Sequence, residues 1–335
     1  MSGKVSNIQA LQMALHDAFA ADDKVILFGE DVADPEGGGV FGITKGLSEK
    51  FGSSRVRSTP ISEQAIIGAG IGAALAGFRP VTEIMMMNFV TVAMDMITNH
   101  AAKLRFMSGG QTNVPITIRT MTGAGIGVGG QHSDYLEAWF AHTAGMKVVT
   151  YSSQAEAYGL LLSSIFDEDP VLFIESNPTY FTTGPAPERG KFIPLGKANV
   201  VREGRDISIV SYGQMVNQAT AAAEALAKET VSAEVIDLRT IAPYDRETVL
   251  ASVAKTGRLL VVHEAVRNYG VGAEIAADVA EHVHAKLKAP VQRIGSVFAP
   301  VPFSRPLEEA YVPNAARIAD KVRDVLAIER QHIPA

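Results

Sequence analysis

Glu63 is the acid whose setting most invites chemistry. It follows Thr59-Pro60-Ile61-Ser62 and opens a stretch crowded with Gly68, Ala69, Gly70, Gly72, Ala73 and Ala74. A carboxyl group at a helix start can do one of two things. It can complete a cap and offset the helix dipole. Sheltered from water between Ile61, Ile66 and Ile67, it would instead have a raised pKa and could share a proton with a ligand. Pro60 bars helix just before it and Ser62 is a good N-cap, so the spacing predicts a helix over 64–77. The small residues cost that helix intrinsic stability. What they allow is close approach by another backbone, as in a tight subunit seam beside a ligand. The glycines lie inside the helix, not in a strand-to-helix turn, so they make a poor dinucleotide fingerprint. Nor, in a soluble chain, do they mean a membrane dimer motif.

A second group is the run Gly123-Ala124-Gly125-Ile126-Gly127-Val128-Gly129-Gly130-Gln131-His132-Ser133. So many glycines make a backbone that is mobile or closely approached. The run could cradle a phosphate, although no Gly-Lys-Ser/Thr ending completes a P-loop. It could instead deliver His132, a group able to hold or pass a proton near neutral pH, into a cleft. Met85-Met86-Met87-Asn88-Phe89 follows a predicted strand. Met86 reads as core, while Met85 and Phe89 fall at the strand end where open sheets place ligands. Glu30-Asp31 closes the first long strand, either solvated or on a proton path.

These groups need a scaffold, and the apolar pattern supplies one. Buried strands are predicted at 24–31, 80–84, 114–120, 147–150 and 170–176. Helices are predicted at 7–21, 64–77, 89–107 and 154–166. The alternation implies a mostly parallel sheet with helices on both faces. Pro, Gly and Thr punctuate residues 176–206, and the alternation then resumes. Strands are expected at 206–213, 232–239, 258–265 and 289–295, and helices at 214–228, 245–255, 270–287 and 314–328. The division is a domain over 1–185, a linker over 186–205 and a second domain over 206–335, both doubly wound α/β. A net charge of −6 argues against nucleic acid as a partner. No apolar run reaches the roughly 18 residues a membrane span needs, and the N-terminal stretch does not read as a signal peptide. With no cysteine in the sequence, disulfides and thiol nucleophiles are excluded and a cytoplasmic location is expected.

Taken in order, these pieces resemble a known family. GEDV at 29–32, VFGITKGL at 40–47, TPISE at 59–63, GFRPV at 77–81, VPITIR at 114–119, QHS at 131–133 and GMKVV at 145–149 are similar to beta subunits of the thiamine-diphosphate-dependent decarboxylase component of 2-oxo-acid dehydrogenase complexes. PVLFIE at 170–175, VIDLRTIAP at 235–243, HEA at 263–265 and PVPFSRPLEEAYVPNAARI at 300–318 continue the match over nearly the whole chain. The resemblance implies a pyrimidine-binding domain followed by a transketolase C-terminal-like domain. It implies thiamine diphosphate held across an interface with an alpha subunit that supplies the diphosphate and magnesium site, in an assembly of two alpha and two beta chains. It further implies acyl transfer to a lipoyl-bearing acyltransferase component or carrier protein. Glu63 matches the family's catalytic glutamate, whose hydrogen bond to the pyrimidine nitrogen promotes the imino form of the cofactor. Met85 and Phe89 match pyrimidine contacts, His132 the active-site histidine, and Glu30 an acid in proton communication. Ser164, Asp167 and Asp169 match a structural potassium site. The Gly-Asp-Gly of a complete magnesium site does not occur in the sequence, which points to an obligate partner. Ser58, Asp134, Tyr151, Gln154, Tyr158 and the stretch 176–184 depart from the pattern. A related two-carbon ketol or acyl transferase and a non-catalytic subunit are the other readings; free carbon dioxide with acyl-dihydrolipoamide separates the first from a ketol moved intact.

Overall fold

The computed structural model describes residues 3–331; Met1, Ser2 and residues 332–335, at the ends of the two domain spans expected from sequence, lie outside the described residues. The described chain divides into two compact units.

The first unit comprises residues 1–123 and 131–195. Its elements run β1 (Lys4–Ser6), α1 (Asn7–Ala21), β2 (Val25–Glu30), α2 (Leu47–Phe51), β3 (Val56–Thr59), α3 (Glu63–Leu75), β4 (Arg79–Met86), α4 (Met87–Val90), α5 (Leu104–Met107), β5 (Thr117–Thr122), α6 (Gly130–Ser133), α7 (Glu137–Ala141), β6 (Lys147–Thr150), α8 (Gln154–Ile165), β7 (Val171–Ser176) and β8 (Thr183–Pro185). Six of these strands hydrogen-bond in the order β6-β7-β5-β4-β2-β3, every neighbouring pair parallel. Parallel pairing demands crossovers, which the helices between the strands provide. Because such a sheet is covered on its faces, β5 and β7 are buried at every position. Helix α1 starts on a capping box, with Ser6 and Gln9 satisfying each other's backbone N–H. It buries Leu11, Leu15 and Phe19 in the core it shares with Tyr158 and Leu161 of α8.

One predicted helix does not form as a unit. Residues 89–107 break into α4, a 3₁₀ turn at Thr91–Ala93, a π-helical stretch at Met96–Ala101 and α5. The stretch β3 was not expected; its register with β2 sets Glu30 opposite Thr59 and brings the strand end beside the start of α3.

The second unit comprises residues 124–130 and 196–335. It contains β9 (Asn199–Arg202), β10 (Ile207–Ser211), α9 (Met215–Ala227), β11 (Ala233–Asp237), β12 (Thr240–Ala242), α10 (Arg246–Thr256), β13 (Leu259–Val266), α11 (Val271–Val283), β14 (Gln292–Ser296), α12 (Arg305–Tyr311) and α13 (Ala315–Gln331). The sheet order is β14-β13-β10-β11-β9, parallel except for β9, which runs antiparallel to β11. Strand β9 lies within the stretch 186–205 read as a linker. Ile209, Val235 and Leu260 of the sheet pack with Val216 and Leu226 of α9 and Ile318 and Val322 of α13. Among the described residues no helix is long and apolar enough to cross a membrane.

Glu264 on β13 is 4% exposed. Burial pushes its pKa from 4.5 up to about 7, against the pull of the Ala124 N–H and the Gln214 amide. In the unfolded chain this carboxyl ionises near 4.5, so the folded state holds the extra proton between the two values. That advantage is fully present below pH 4.5 and is lost as the pH rises through 7, by roughly 3 kcal/mol at most. Glu264→Gln should therefore flatten the loss of stability between pH 5 and pH 8 and gain on the parent at pH 8. Urea unfolding at both pH values checks this; parallel curves for the two proteins would contradict it.

Candidate active site

Glu63 opens α3, but not as part of a side-chain cap. Ser62 occupies the N-cap position and its hydroxyl donates to the Pro60 carbonyl at 3.0 Å, leaving the helix N–H groups uncapped by it. Ser62 as a working cap is thus corrected. So is the apolar pocket expected around Glu63: Ile66 and Ile67 point into the core, while Ile61, in the bend before the helix, is 81% exposed. The Glu63 carboxyl is half-buried. It lines a groove of about 630 Å³ with Ser62, Gln64, Gly68, Val92 and Met96.

The glycines of α3 differ in their surroundings. A Cβ at Gly70 would stand 2.7 Å from Ile116 and 2.8 Å from Thr82, so this glycine lets the helix sit directly on the sheet. At Gly72 nothing lies within 4 Å.

Glu30, at the end of β2, is buried. Burial pushes its pKa up, and the negative charges of Glu63 and Asp31 push the same way, while the Ser62 backbone N–H pulls it down. Its Oε1 has no hydrogen-bond partner. A buried carboxyl oxygen without a partner is costly unless it carries a proton or meets a ligand. Two acids from β2 and α3 thus share one end of the sheet, and burial together with its acidic neighbours holds the pKa of Glu30 above the usual carboxylate value.

Phe89 and His132 form a second pair, ring edge to face with centroids 5.3 Å apart. The turn holding His132 is tied down just beyond it. Asn88 donates to the Asp134 carboxylate at 2.9 Å and accepts from the Asp134 N–H at 3.2 Å. Thr122 donates to the Asp134 carbonyl at 2.7 Å. Asp134, a departure from the family pattern, therefore has a clear structural use here.

Met85 lines a small cavity of about 20 Å³ whose polar members sequence reading did not single out. Arg119 of β5 donates to Glu83 of β4 at 2.6 Å and to Glu175 of β7 at 2.7 Å. Tyr180 donates to Glu175 at 2.7 Å. Burial alone would lower the Arg119 pKa, yet the two carboxylates hold it above its ordinary value. Burial likewise raises Glu175 against the pull of Arg119. The signal was present in sequence: an arginine in the apolar strand VPITIRT requires buried acids, and PVTEI and PVLFIES each carry one.

Ser164, Asp167 and Asp169 do not join these groups. The Ser164 hydroxyl donates to the Leu160 carbonyl of its own helix. Asp167 takes Lys147 at 2.7 and 2.8 Å, and Asp169 is bridged to Arg105 and Lys147. Although burial would raise Asp169, those cations hold it below its usual range. The carboxylates are spent on side-chain cations, so the residues here do not fit a cation held through carboxylates. Among the described residues no group of three or more His, Asp or Glu is arranged to hold a metal. The other departures are also structural. Ser58 accepts from the Ala33 N–H and donates to Glu36. Tyr151 stacks on Phe173, Tyr158 bonds Asp17, and Gln154 donates to the Thr182 carbonyl.

Comparison with known proteins agrees with this architecture. Residues 3–182 match the transketolase pyrimidine-binding domain and residues 196–318 the transketolase C-terminal domain. Acetoin:2,6-dichlorophenolindophenol oxidoreductase subunit beta of Cupriavidus necator is 44% identical, with 97% of this chain and 98% of that protein covered. Pyruvate dehydrogenase E1 component subunit beta-1 of Arabidopsis thaliana is 46% identical over 94% of this chain and 86% of its own length. The E1 beta subunit of Staphylococcus epidermidis is 43% identical over 96% and 99%. A split-gene transketolase, solved as an inactive beta4 tetramer, shares the fold with a TM-score of 0.79 at 21% identity, covering 98% of this chain and 100% of that one. The chain therefore belongs to the family that comprises the beta subunits of acetoin oxidoreductases and of the pyruvate dehydrogenase E1 component.

Proposed function

We propose that this chain is the beta subunit of a thiamine-diphosphate-dependent 2-oxo-acid dehydrogenase and works together with an alpha subunit. The observation that carries the reading is the pairing of Glu63, on an open groove, with the buried and half-unsatisfied Glu30. When bound, thiamine diphosphate supplies the carbon nucleophile and electron sink for decarboxylation. Glu63 would hold a proton at the pyrimidine ring nitrogen. Glu30, whose pKa burial and the Glu63 charge raise, would keep that proton exchangeable. Met85 and Phe89 would contact the pyrimidine ring, and His132, steadied against Phe89, would stabilise the substrate carboxylate and assist transfer of the acyl group to a lipoyl arm.

The exposed Ile61 and Val92 beside the groove fit a face covered by another subunit. The alpha chain would bring the diphosphate and magnesium site, and two chains of each kind would make the enzyme. A division near residue 195, with residues 124–130 grouped with the C-terminal unit, supports a pyrimidine-binding half followed by a C-terminal half. The cysteine-free sequence supports a cytoplasmic setting.

Reconstitution tests the reading. The chain should be purified alone and with an alpha chain bearing Gly-Asp-Gly and a downstream Asn, then assayed with pyruvate, branched-chain 2-oxo acids and acetoin, each with oxidised lipoamide as electron and acyl acceptor. Acyl-dihydrolipoamide should form only with both chains present, with carbon dioxide released from the 2-oxo acids. Full activity of this chain alone would overturn the proposal, and a ketol unit moved without carbon dioxide would favour a two-carbon transferase instead.

A further inference from the structure

The glycine-rich loop Ala124–Gly130 has the geometry of an anion site, and the second unit fills it from within. Glycines 125, 127 and 129 take positive φ of 115°, 73° and 72°. Alternating conformations of this kind turn successive N–H groups toward one point, the concavity that binds phosphate in other proteins. Here the point is occupied by the carboxylate of Glu308 on α12, which is 2% exposed. It accepts from the Gly125 N–H at 2.9 Å and from the Gly127 N–H at 3.1 and 3.2 Å. Glu264 on β13 accepts from the Ala124 N–H at 2.8 Å and is bonded to the Gln214 amide. Apolar contacts close the rest. Ala124 packs with Val301 and Tyr311, and a Cβ at Gly129 would lie 2.4 Å from the Phe303 ring.

We infer that Glu308, assisted by Glu264, is a positioning residue: its carboxylate takes the place an outside anion would occupy in the glycine loop and holds residues 124–130 in one conformation within the second unit. A loop of so many glycines has a large entropy to lose, and the hydrogen bonds to these buried acceptors, with the apolar contacts of Ala124 and Gly129, offset it.

Amide hydrogen exchange on the full chain tests the inference. Glu308→Ala should speed exchange across 124–130 by about tenfold or more, while β10 and β13 stay protected. Glu308→Gln keeps an acceptor and should give a smaller change, so it serves where the alanine variant folds poorly. In the wild type, inorganic phosphate should not alter exchange of the loop. Unchanged loop exchange in both folded variants, or protection of the wild-type loop by phosphate, overturns the inference.

Discussion

Glu63→Gln should lower turnover of the reconstituted enzyme by roughly 10²-fold or more, the usual weight of a general acid–base group. The substitution keeps the size of the side chain and its place at the start of α3, so the fold is little disturbed. It removes only the ability to exchange a proton. Ser62 does not cap the helix through its hydroxyl, and an amide at position 63 costs the first turn only the few tenths of a kcal/mol that an exposed charge contributes there. Thermal stability should therefore stay near that of the parent while kcat collapses. Binding of thiamine diphosphate, followed by calorimetry, should persist within about tenfold, since a neutral amide still offers a hydrogen bond. Near-normal turnover by this variant would end the assignment of Glu63.

Arg119→Leu should destabilise the first unit by about 3–5 kcal/mol, because it strands Glu83 and Glu175 in the core without their cation. Arg119 and Glu175 are each about 1% exposed, so water cannot replace the lost partner. The expected fall in melting temperature is on the order of 10 °C. Changing Glu83 and Glu175 to Gln and Leu alongside Arg119→Leu should return much of that loss, as replacing a whole buried ionic group by apolar or neutral residues often does. Calorimetry on the single and triple variants decides it; a single variant within about 1 kcal/mol of the parent would show that the triad contributes little. Met85 borders the same cavity, so a folded Arg119 variant should also lose activity at lower temperature.

What could be read from sequence divides by range. Helix α1 was visible because its apolar spacing and capping box are local, and the inner strands because they are continuous runs of buried β-branched residues. Strand β3 escapes a local reading since Val56-Arg57-Ser58-Thr59 is short, largely polar and at a sheet edge. Strand β9 was hidden by the prolines and glycines before it. The apolar positions of 89–107 suggest one helix, but the chain there must turn several times, as the 3₁₀ and π segments show. Among the site residues, the contact of Phe89 with His132 was anticipated only as two separate candidates. Glu30 and Glu63 were each singled out, but their proximity follows from the pairing of β2 with β3, which no local pattern announces. The two carboxylates that fill the glycine loop lie 140 and 183 residues further along the chain, beyond the reach of any motif.

The contrast between Gly70 and Gly72 has a practical side. Position 70 is sealed against the sheet, whereas position 72 faces open space on the same helix. Since the protein has no cysteine of its own, a single thiol placed by Gly72→Cys would give a fluorophore one attachment point, one helical turn or so from the groove that holds Glu63. The molecule thus offers a built-in spot for a reporter dye, where quenching or shielding would register arrival of a second polypeptide directly, without any assay of turnover.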